Sequence, residues 1–360
     1  MSAERRVLIW AAILAAIVLL LHVLSEVLLP FVVGAAVAYF LDPAAVRLER
    51  LGWSRTLATS VLSAVFFLVV GAAILLLVPV LQAQVVEFAT RLPAYIDRGW
   101  AVVQGALMEV QGRIAPEDFD RLRAALGSHA GGALVWLGEL LKGVVSGGLA
   151  LFNVLSLVFL TPLVTFYLLR DWPKVTAKIE SWLPREDAQG ILVVLSEIDA
   201  ALAGFARGQA LVCLTMGVLY AVALSLAGLQ FGLLVGLGIG ALTVIPFVGA
   251  AIGAVVSLGL AALQFGTWPE ILVIAGIFAA GQIFEGNLLS PKLVGDRVGL
   301  HPLWIVFALL AGGALFGFLG VLLAVPVASA LGVLARHGVR RYLVSRFYTG
   351  PSDSSGGNAA

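Results

Sequence analysis

Charge is what this chain has least of. Of its 360 residues only 12% are Asp, Glu, Lys or Arg, while 61% are hydrophobic. A soluble domain carries roughly 25% charged and 45–50% apolar residues. With half the usual charge the chain cannot cover a globular surface with polar groups, and a mean hydropathy of +1.05 makes lipid its solvent. Cysteine is almost missing: Cys213 stands alone in an apolar run, so no intrachain disulfide can form. The formal net charge of +1 lacks the basic surplus of a nucleic-acid binder. There is no His/Cys cluster with metal-ligand spacing, no nucleophile with a nearby base and no phosphate loop. Gly236-Leu-Gly238-Ile-Gly240 has the wrong spacing for a dinucleotide turn, and no strand or ribose-binding acid accompanies it. The expectation is a membrane protein that is not an enzyme and uses neither cofactor nor metal.

What is present is apolar sequence in lengths that match a bilayer. Spanning helices need about 20 largely apolar residues, and such runs occur at 7–24, 57–78, 144–169, 208–227 and 269–289. The start, Met-Ser-Ala-Glu-Arg-Arg followed by Val7–Leu21, resembles a signal peptide. Its apolar run is long and lacks a small-residue cleavage site, so a retained first helix is expected. The shorter run Val27–Leu41 closes at Asp42-Pro43, where proline disfavours further helix. It is expected to cross back, forming a hairpin with the first span around Ser25-Glu26.

Two blocks, 231–264 and 303–335, are too long for one helix and are interrupted by Gly and Pro. Both carry Gly-Ala-Leu about ten residues in, at Gly240-Ala241-Leu242 and Gly313-Ala314-Leu315. Their arms are marginal for crossing about 30 Å at 1.5 Å per residue. The pattern predicts two hairpins that enter and turn back, with tips near Thr243–Gly249 and Phe316–Gly320. Non-helical backbone in a bilayer must be buried or line a wet cavity. Each block follows a full span, one crossing outward and the other inward. Inverted repeats with broken helices are a recurring plan of secondary transporters. The charge pattern fits equally well if each arm crosses completely. The four-residue spacing of Gly232, Gly236 and Gly240, and of Gly249 and Gly253, lets helices approach closely.

The distribution of Lys and Arg supports a cytoplasmic N-terminus and C-terminus. Of the 22 basic residues, only Arg91, Arg98, Arg113, Arg121, Arg123 and Lys142 then lie outside, all in one long segment where the positive-inside bias is weak. That segment carries an apolar stripe at Ile96, Trp100, Val103, Leu107, Val110 and Ile114, which fits packing on its own neighbours or on another subunit. Residues 170–206 place Ile191, Val194, Leu195, Ile198, Leu202 and Phe205 on one face, predicting an amphipathic helix along the inner membrane surface.

The expected fold class is therefore an all-α integral membrane protein. It has about six full transmembrane helices plus two broken helical hairpins in inverted repeats, and a small extracytoplasmic helical domain. N-terminal transmembrane helices occupy 1–78, the extracytoplasmic helical segment 79–142, a transmembrane helix 143–170 and the cytoplasmic amphipathic helix 171–206. A first repeat unit of span plus hairpin follows over 207–267 and a second over 268–336. A basic C-terminus with a compositionally disordered tail fills 337–360.

One stretch of chemistry interrupts this apolar background. Ile271–Ala280 has no polar side chain, and then GQIFEGNLLS (281–290) sets Gln282, Glu285 and Asn287 within one and a half turns. With the helix starting at Trp268-Pro269, Glu285 lies about 24 Å down the span, toward the cytoplasmic face, where Arg207 and Gln209 open the preceding span. The plain explanations are an Arg207–Glu285 ion pair or a helix end reaching water. The functional one makes Glu285 a solute or proton ligand, since ionisable groups within spans tend to mark pathways. Thr243, the Ile245-Pro246 break and Gly313 would add hydrogen-bonding backbone at the tips. His22, in the first span, fits a satisfied helix residue better than a proton relay.

Several runs resemble the AI-2E family of bacterial membrane proteins, named for autoinducer-2 export. They are Q-I-F-E-G-N-L-L-S-P-K-L-V-G-D-R-V-G-L-H-P (282–302), R-G-Q (207–209), F-Y-L-L-R-D (166–171), I-P-F-V-G (245–249) and G-G-A-L-F-G-F-L-G-V-L-L-A-V-P (312–326). The resemblance covers residues 5–348. It implies a multi-pass transporter of the bacterial inner membrane, in contact with the lipid bilayer and assembled as a homopentamer, that moves a small polar solute with or without a coupling ion. Members are associated with autoinducer-2 export and others with sodium or lithium–proton antiport. Two rivals follow for this chain: a cation–proton antiporter using Glu285, and a non-transporting scaffold whose outside helices organise partners.

Overall fold

Helix-forming Ala, Leu and Val dominate this chain, so the places where helices stop are set by Gly and Pro. A computed structural model describes residues 5, 12, 16, 19–111, 148–185, 188–265, 267–294, 299–345 and 348. Among them there is no strand. The helices are α1 (Ser25–Arg50), α2 (Arg55–Gln111), α3 (Gly148–Trp182), α4 (Ala188–Leu226), α5 (Gly232–Leu242), α6 (Val248–Gln264), α7 (Trp268–Phe284), a π-helical segment (Glu285–Val294) and α8 (Pro302–Leu343). Five stretches are long and apolar enough to cross a membrane: Val27–Arg50, Arg55–Phe88, Ala188–Leu226, Trp268–Leu293 and Pro302–Leu343. The protein is an all-α membrane protein, as its composition requires. Most of the expected first span lies outside the described residues, as do 112–142 and most of the tail.

Three helices run further than the apolar pattern suggests. α1 does not close at Asp42-Pro43 but continues through both to Arg50. Proline removes one amide bond, and helices near membrane interfaces tolerate that when neighbours or water meet the freed carbonyl. α2 is unbroken for 57 residues through Pro79 and Pro93, about 85 Å at 1.5 Å per residue. The backbone that carries the apolar stripe expected outside is helical as far as Gln111. The side chains of Ile96, Trp100, Val103, Leu107 and Val110, and all of Ile114, lie outside the description. In α4 the amphipathic stretch and the following span form one 39-residue helix, with no helix end at residue 207.

The chain divides into two compact units, one made of 1–63, 163–211 and 289–360, the other of 64–162 and 212–288. In the first, an arginine ties three helices together. Arg55 donates Nη2 to Asp42 Oδ1 at 2.8 Å and Nη1 to Glu49 Oε2 at 3.0 Å. Its Nε and Nη2 both reach the carbonyl of Leu169, at 3.0 and 2.6 Å. That carbonyl needs a donor, because four residues on in α3 stands Pro173, which has no N–H. Tyr39 on α1 donates to Asp199 Oδ1 on α4 at 2.8 Å. The buried Thr165 hydroxyl donates to the Gly34 carbonyl at 3.1 Å.

α8 consists of two arms, 302–316 and 318–343, separated by Gly317 with φ 59° and ψ −138°. Along one straight helix Gly312 and Gly320 would stand about 12 Å apart. Instead a methyl group on Gly320 would collide with the Gly312 carbonyl. The arms therefore fold back on each other, and Gly312 and Gly320 let their backbones touch. The break falls within the stretch where the tip was expected.

The second unit is built on the same principle. Gly232, Gly236 and Gly240 put the backbone of α5 directly on that of α4, at Leu224-Ser225, Tyr220-Ala221 and Gly217. α5 has only 11 residues, about 16 Å of rise. The chain then turns at 243–247 and returns as the 17-residue α6. Phe231 and Phe247, immediately before α5 and α6, hold left-handed backbone at φ 64° and 68°, a conformation that costs a bulky residue of order 1–3 kcal/mol. The C-terminal part of α2 packs onto this hairpin. Gln84 Oε1 accepts from the amide of Leu234 at 3.1 Å, giving the first turn of α5 a cap that Phe231 cannot supply. Tyr95 donates to Gln230 Oε1 at 2.5 Å, and Gln264 clips Gln230 and Gly228 with two bonds of 2.7 Å.

Candidate functional site

The polar residues of 281–290 begin where α7 ends. α7 buries Ile274, Phe278 and Gly281 along one side. From Glu285 the chain continues as a ten-residue π-helix to Val294. Proline supplies the reason: in an α-helix the ring of Pro291 would clash with the carbonyl of Asn287, four residues earlier. Widening the coil to i→i+5 bonding moves that carbonyl away, and Gly286 adds no side chain to the wider turn. π-helical turns are rare and concentrate at functional sites. Sequence periodicity did not reveal the segment; the pairing of Gly286 with Pro291 is the signal that marks it.

Glu285 opens the π segment half-buried, and Gln282 connects it to the core. The Gln282 amide nitrogen donates to Glu285 Oε2 and to the hydroxyl oxygen of Tyr220, both at 3.3 Å. Tyr220 comes from the last two turns of α4 and is fully buried. Its hydroxyl donates to the Phe278 carbonyl at 3.2 Å, and its ring stacks on Phe278 at 5.3 Å and 19°. Gly281 makes room for it, since a methyl group there would meet the Tyr220 hydroxyl. A phenol, a carboxamide and a carboxylate thus form one hydrogen-bonded line inside an apolar span. Both amide bonds, at 3.3 Å, are just longer than the usual 2.7–3.2 Å range, so a competing hydroxyl or cation has little to displace. The line can present donors and acceptors to a polar solute and one negative charge to a cation.

Tyr220 was not among the residues singled out from sequence. A lone tyrosine among Val, Leu and Ala looks like core, and its signal is the glycine across from it. The other expected residues are dispersed. Asn287 is exposed on the π segment. Thr243 is buried at the first tip, its hydroxyl donating to the Ile239 carbonyl at 2.8 Å. Gly249 packs against that hydroxyl so tightly that a methyl would stand 2.6 Å from it. Pro246 is half-buried in the same turn, and Gly313 lies on the first arm of α8 with Val321 beside it. Gln209 is buried within α4. Arg207 is half-buried and donates Nε to the Ala203 carbonyl at 2.9 Å. Arg207 and Gln209 belong to the first unit, and the Tyr220–Gln282–Glu285 line to the second. Among the described residues no group of three His, Cys, Asp or Glu could hold a metal ion.

Known proteins place this arrangement in a family. The AI-2E family transporter profile matches residues 8–340. The chain is 30% identical over 319 residues to the putative transport protein YrrI of Bacillus subtilis, covering 88% of each chain. It is 27% identical over 310 residues to the putative permease PerM of Escherichia coli K12, covering 85% of this chain and 86% of that protein. It is also 27% identical over 304 residues to the AI-2 transport protein TqsA of Escherichia coli K12, covering 84% and 83%. A profile spanning nearly the whole chain, relatives matched end to end and a helical membrane fold agree: the protein is a multi-pass membrane protein belonging to the AI-2E transporter family.

Proposed function

We propose that this protein is a secondary transporter that exports a small polar solute, autoinducer-2 or a related signalling molecule, from the cytoplasm. The observation that carries this reading is the Tyr220–Gln282–Glu285 line at the junction of α7 and the π segment. Polar groups in a span are costly and collect where a path needs them. An amide shared between two acceptors can release either one to a solute hydroxyl, and the neutral donors and acceptors of Tyr220, Gln282 and Asn287 suit a sugar-like molecule. The name of TqsA supports the same substrate class. Residues 207–267 and 268–336 act as inverted units whose hairpins re-enter the membrane. The 16 Å rise of α5, short of about 30 Å of hydrocarbon, supports re-entry. The site is exposed alternately to each face, with Arg207 balancing Glu285 in one state and Thr243, Pro246, Gly313 and Gln209 lining the path. The protein works as a homopentamer with both termini in the cytoplasm.

Export is tested in inverted vesicles from cells expressing the full chain, with a panel that includes autoinducer-2 and sodium. Glu285→Gln keeps the hydrogen bond to Gln282 but loses the charge. Solute uptake in the wild type that falls at least tenfold in Glu285→Gln supports the reading, since an interaction of about 1.4 kcal/mol is a factor of ten. Unchanged uptake in the variant sinks the site. Sodium-driven proton movement, followed with a pH dye and abolished by the same variant, would instead make the protein a cation–proton antiporter.

A further inference from the structure

The break in α8 falls at Gly317, and a histidine from the start of the chain reaches the carbonyl of Leu315 just before it. Leu315 stands two residues before Gly317, where the first arm ends. In a continuous helix its carbonyl would accept from the amide of residue 319, which here lies beyond the break. An unmet carbonyl in hydrocarbon is strongly unfavourable, so broken helices in membranes are met by neighbouring side chains. His22 Nδ1 stands 2.7 Å from the Leu315 oxygen, and its ring lies 6.2 Å from that of Phe316 at 53°. A carbonyl has no proton to give, so Nδ1 is the donor in this contact.

Depth agrees with the contact. From Pro302 to Phe316 the first arm of α8 rises about 21 Å. Counted along the expected first span, His22 lies about 22 Å from Val7. With both starts on the cytoplasmic side, as the charge pattern leads one to expect, the pair falls at one level. His22 and the tip also belong to the same compact unit.

We propose that His22 is the pin of the second hairpin. It is a positioning residue whose Nδ1–H holds the 315–317 tip in place, and its release frees the tip to open the outer end of the path. The pin rests on the geometry alone, whereas the gating role rests on the transport reading above.

The test uses the full chain in cells, with Cys213→Ala to remove the native thiol and Phe318→Cys, an exposed position, as reporter. A membrane-impermeant maleimide applied from outside reads how open the tip is. His22→Asn keeps an amide donor at the reach of Nδ1, His22→Gln moves it to the reach of Nε2, and His22→Leu removes it. Loss of a hydrogen bond worth about 1 kcal/mol predicts about fivefold faster labelling or more for Leu and Gln, and Asn within about twofold of wild type. Equal labelling in Leu and wild type overturns the pin, as does Asn labelling like Leu. Should His22→Leu not reach the membrane, the contrast between Asn and Gln decides. Faster labelling together with wild-type export in His22→Gln overturns the gating role. If the labelling contrast holds while the wild type exports no solute, the pin stands and the transport reading fails.

Discussion

Tyr220 and Gly281 are complementary in shape: the phenol fills the space that a side chain at 281 would take. Tyr220→Phe keeps the stack on Phe278 and removes one of the two acceptors of the Gln282 amide. The expected result is a roughly 5- to 10-fold fall in export at subsaturating solute, from the loss of a hydrogen bond worth about 1 kcal/mol, with unchanged expression in the membrane. Gly281→Val is expected to be more severe, displacing the ring and costing about 1–3 kcal/mol through overpacking; thermal stability in detergent measures it. How legible the site was differs residue by residue. Gln282, Glu285 and Asn287 stood out because the ten residues before them, 271–280, carry no polar side chain. Tyr220 did not, because its contribution depends on a glycine about 60 positions away, and tertiary proximity leaves no mark on local periodicity.

Elements of this protein are joined by backbone contact, which makes glycines unequal. A methyl group at Gly236 would fall on the backbone of Ala221, whereas at Gly238, one helical face away, nothing lies within 4 Å. Gly236→Ala is expected to lower the melting temperature in detergent, by a destabilisation of about 1–3 kcal/mol. Gly238→Ala is expected to leave it unchanged or raise it, since alanine favours helix by up to about 1 kcal/mol over glycine. Equal effects at the two positions would refute the α4–α5 packing. Arg55→Lys should also destabilise, by about 1–3 kcal/mol, because lysine cannot serve Asp42, Glu49 and the Leu169 carbonyl together. Here the sequence was informative about spacing and poor on continuity. Four-residue glycine spacing announced the close approach. The 57-residue α2 and the passage of α1 through Pro43 were not legible, because proline's effect depends on whether a neighbour meets the carbonyl it frees. The π segment was hidden for a related reason: periodicity averages over a window longer than the coil it would have to detect.

For the whole molecule, the placement of charge makes a prediction that needs no transport assay. Thiols introduced at Ser354 in the tail and at Thr267, an exposed position between α6 and α7, in a Cys213→Ala background, are expected to label from opposite faces of the membrane. Ser354→Cys should react only in inverted vesicles and Thr267→Cys in intact cells; the exchanged pattern would reverse the assignment of the termini, and labelling of both from one face would refute the placement of the two sites on opposite faces. The cap on α5 has a consequence for how the chain is made. At 11 residues α5 is too short to be inserted as a span of its own, and the acceptor that completes its first turn is Gln84, 150 residues earlier in the chain. The acceptor is therefore synthesised well before the helix that it caps. The hairpin is not so much inserted as received, which gives the order of biogenesis a structural basis: without α2, the later half of the chain loses the surface that guides it in.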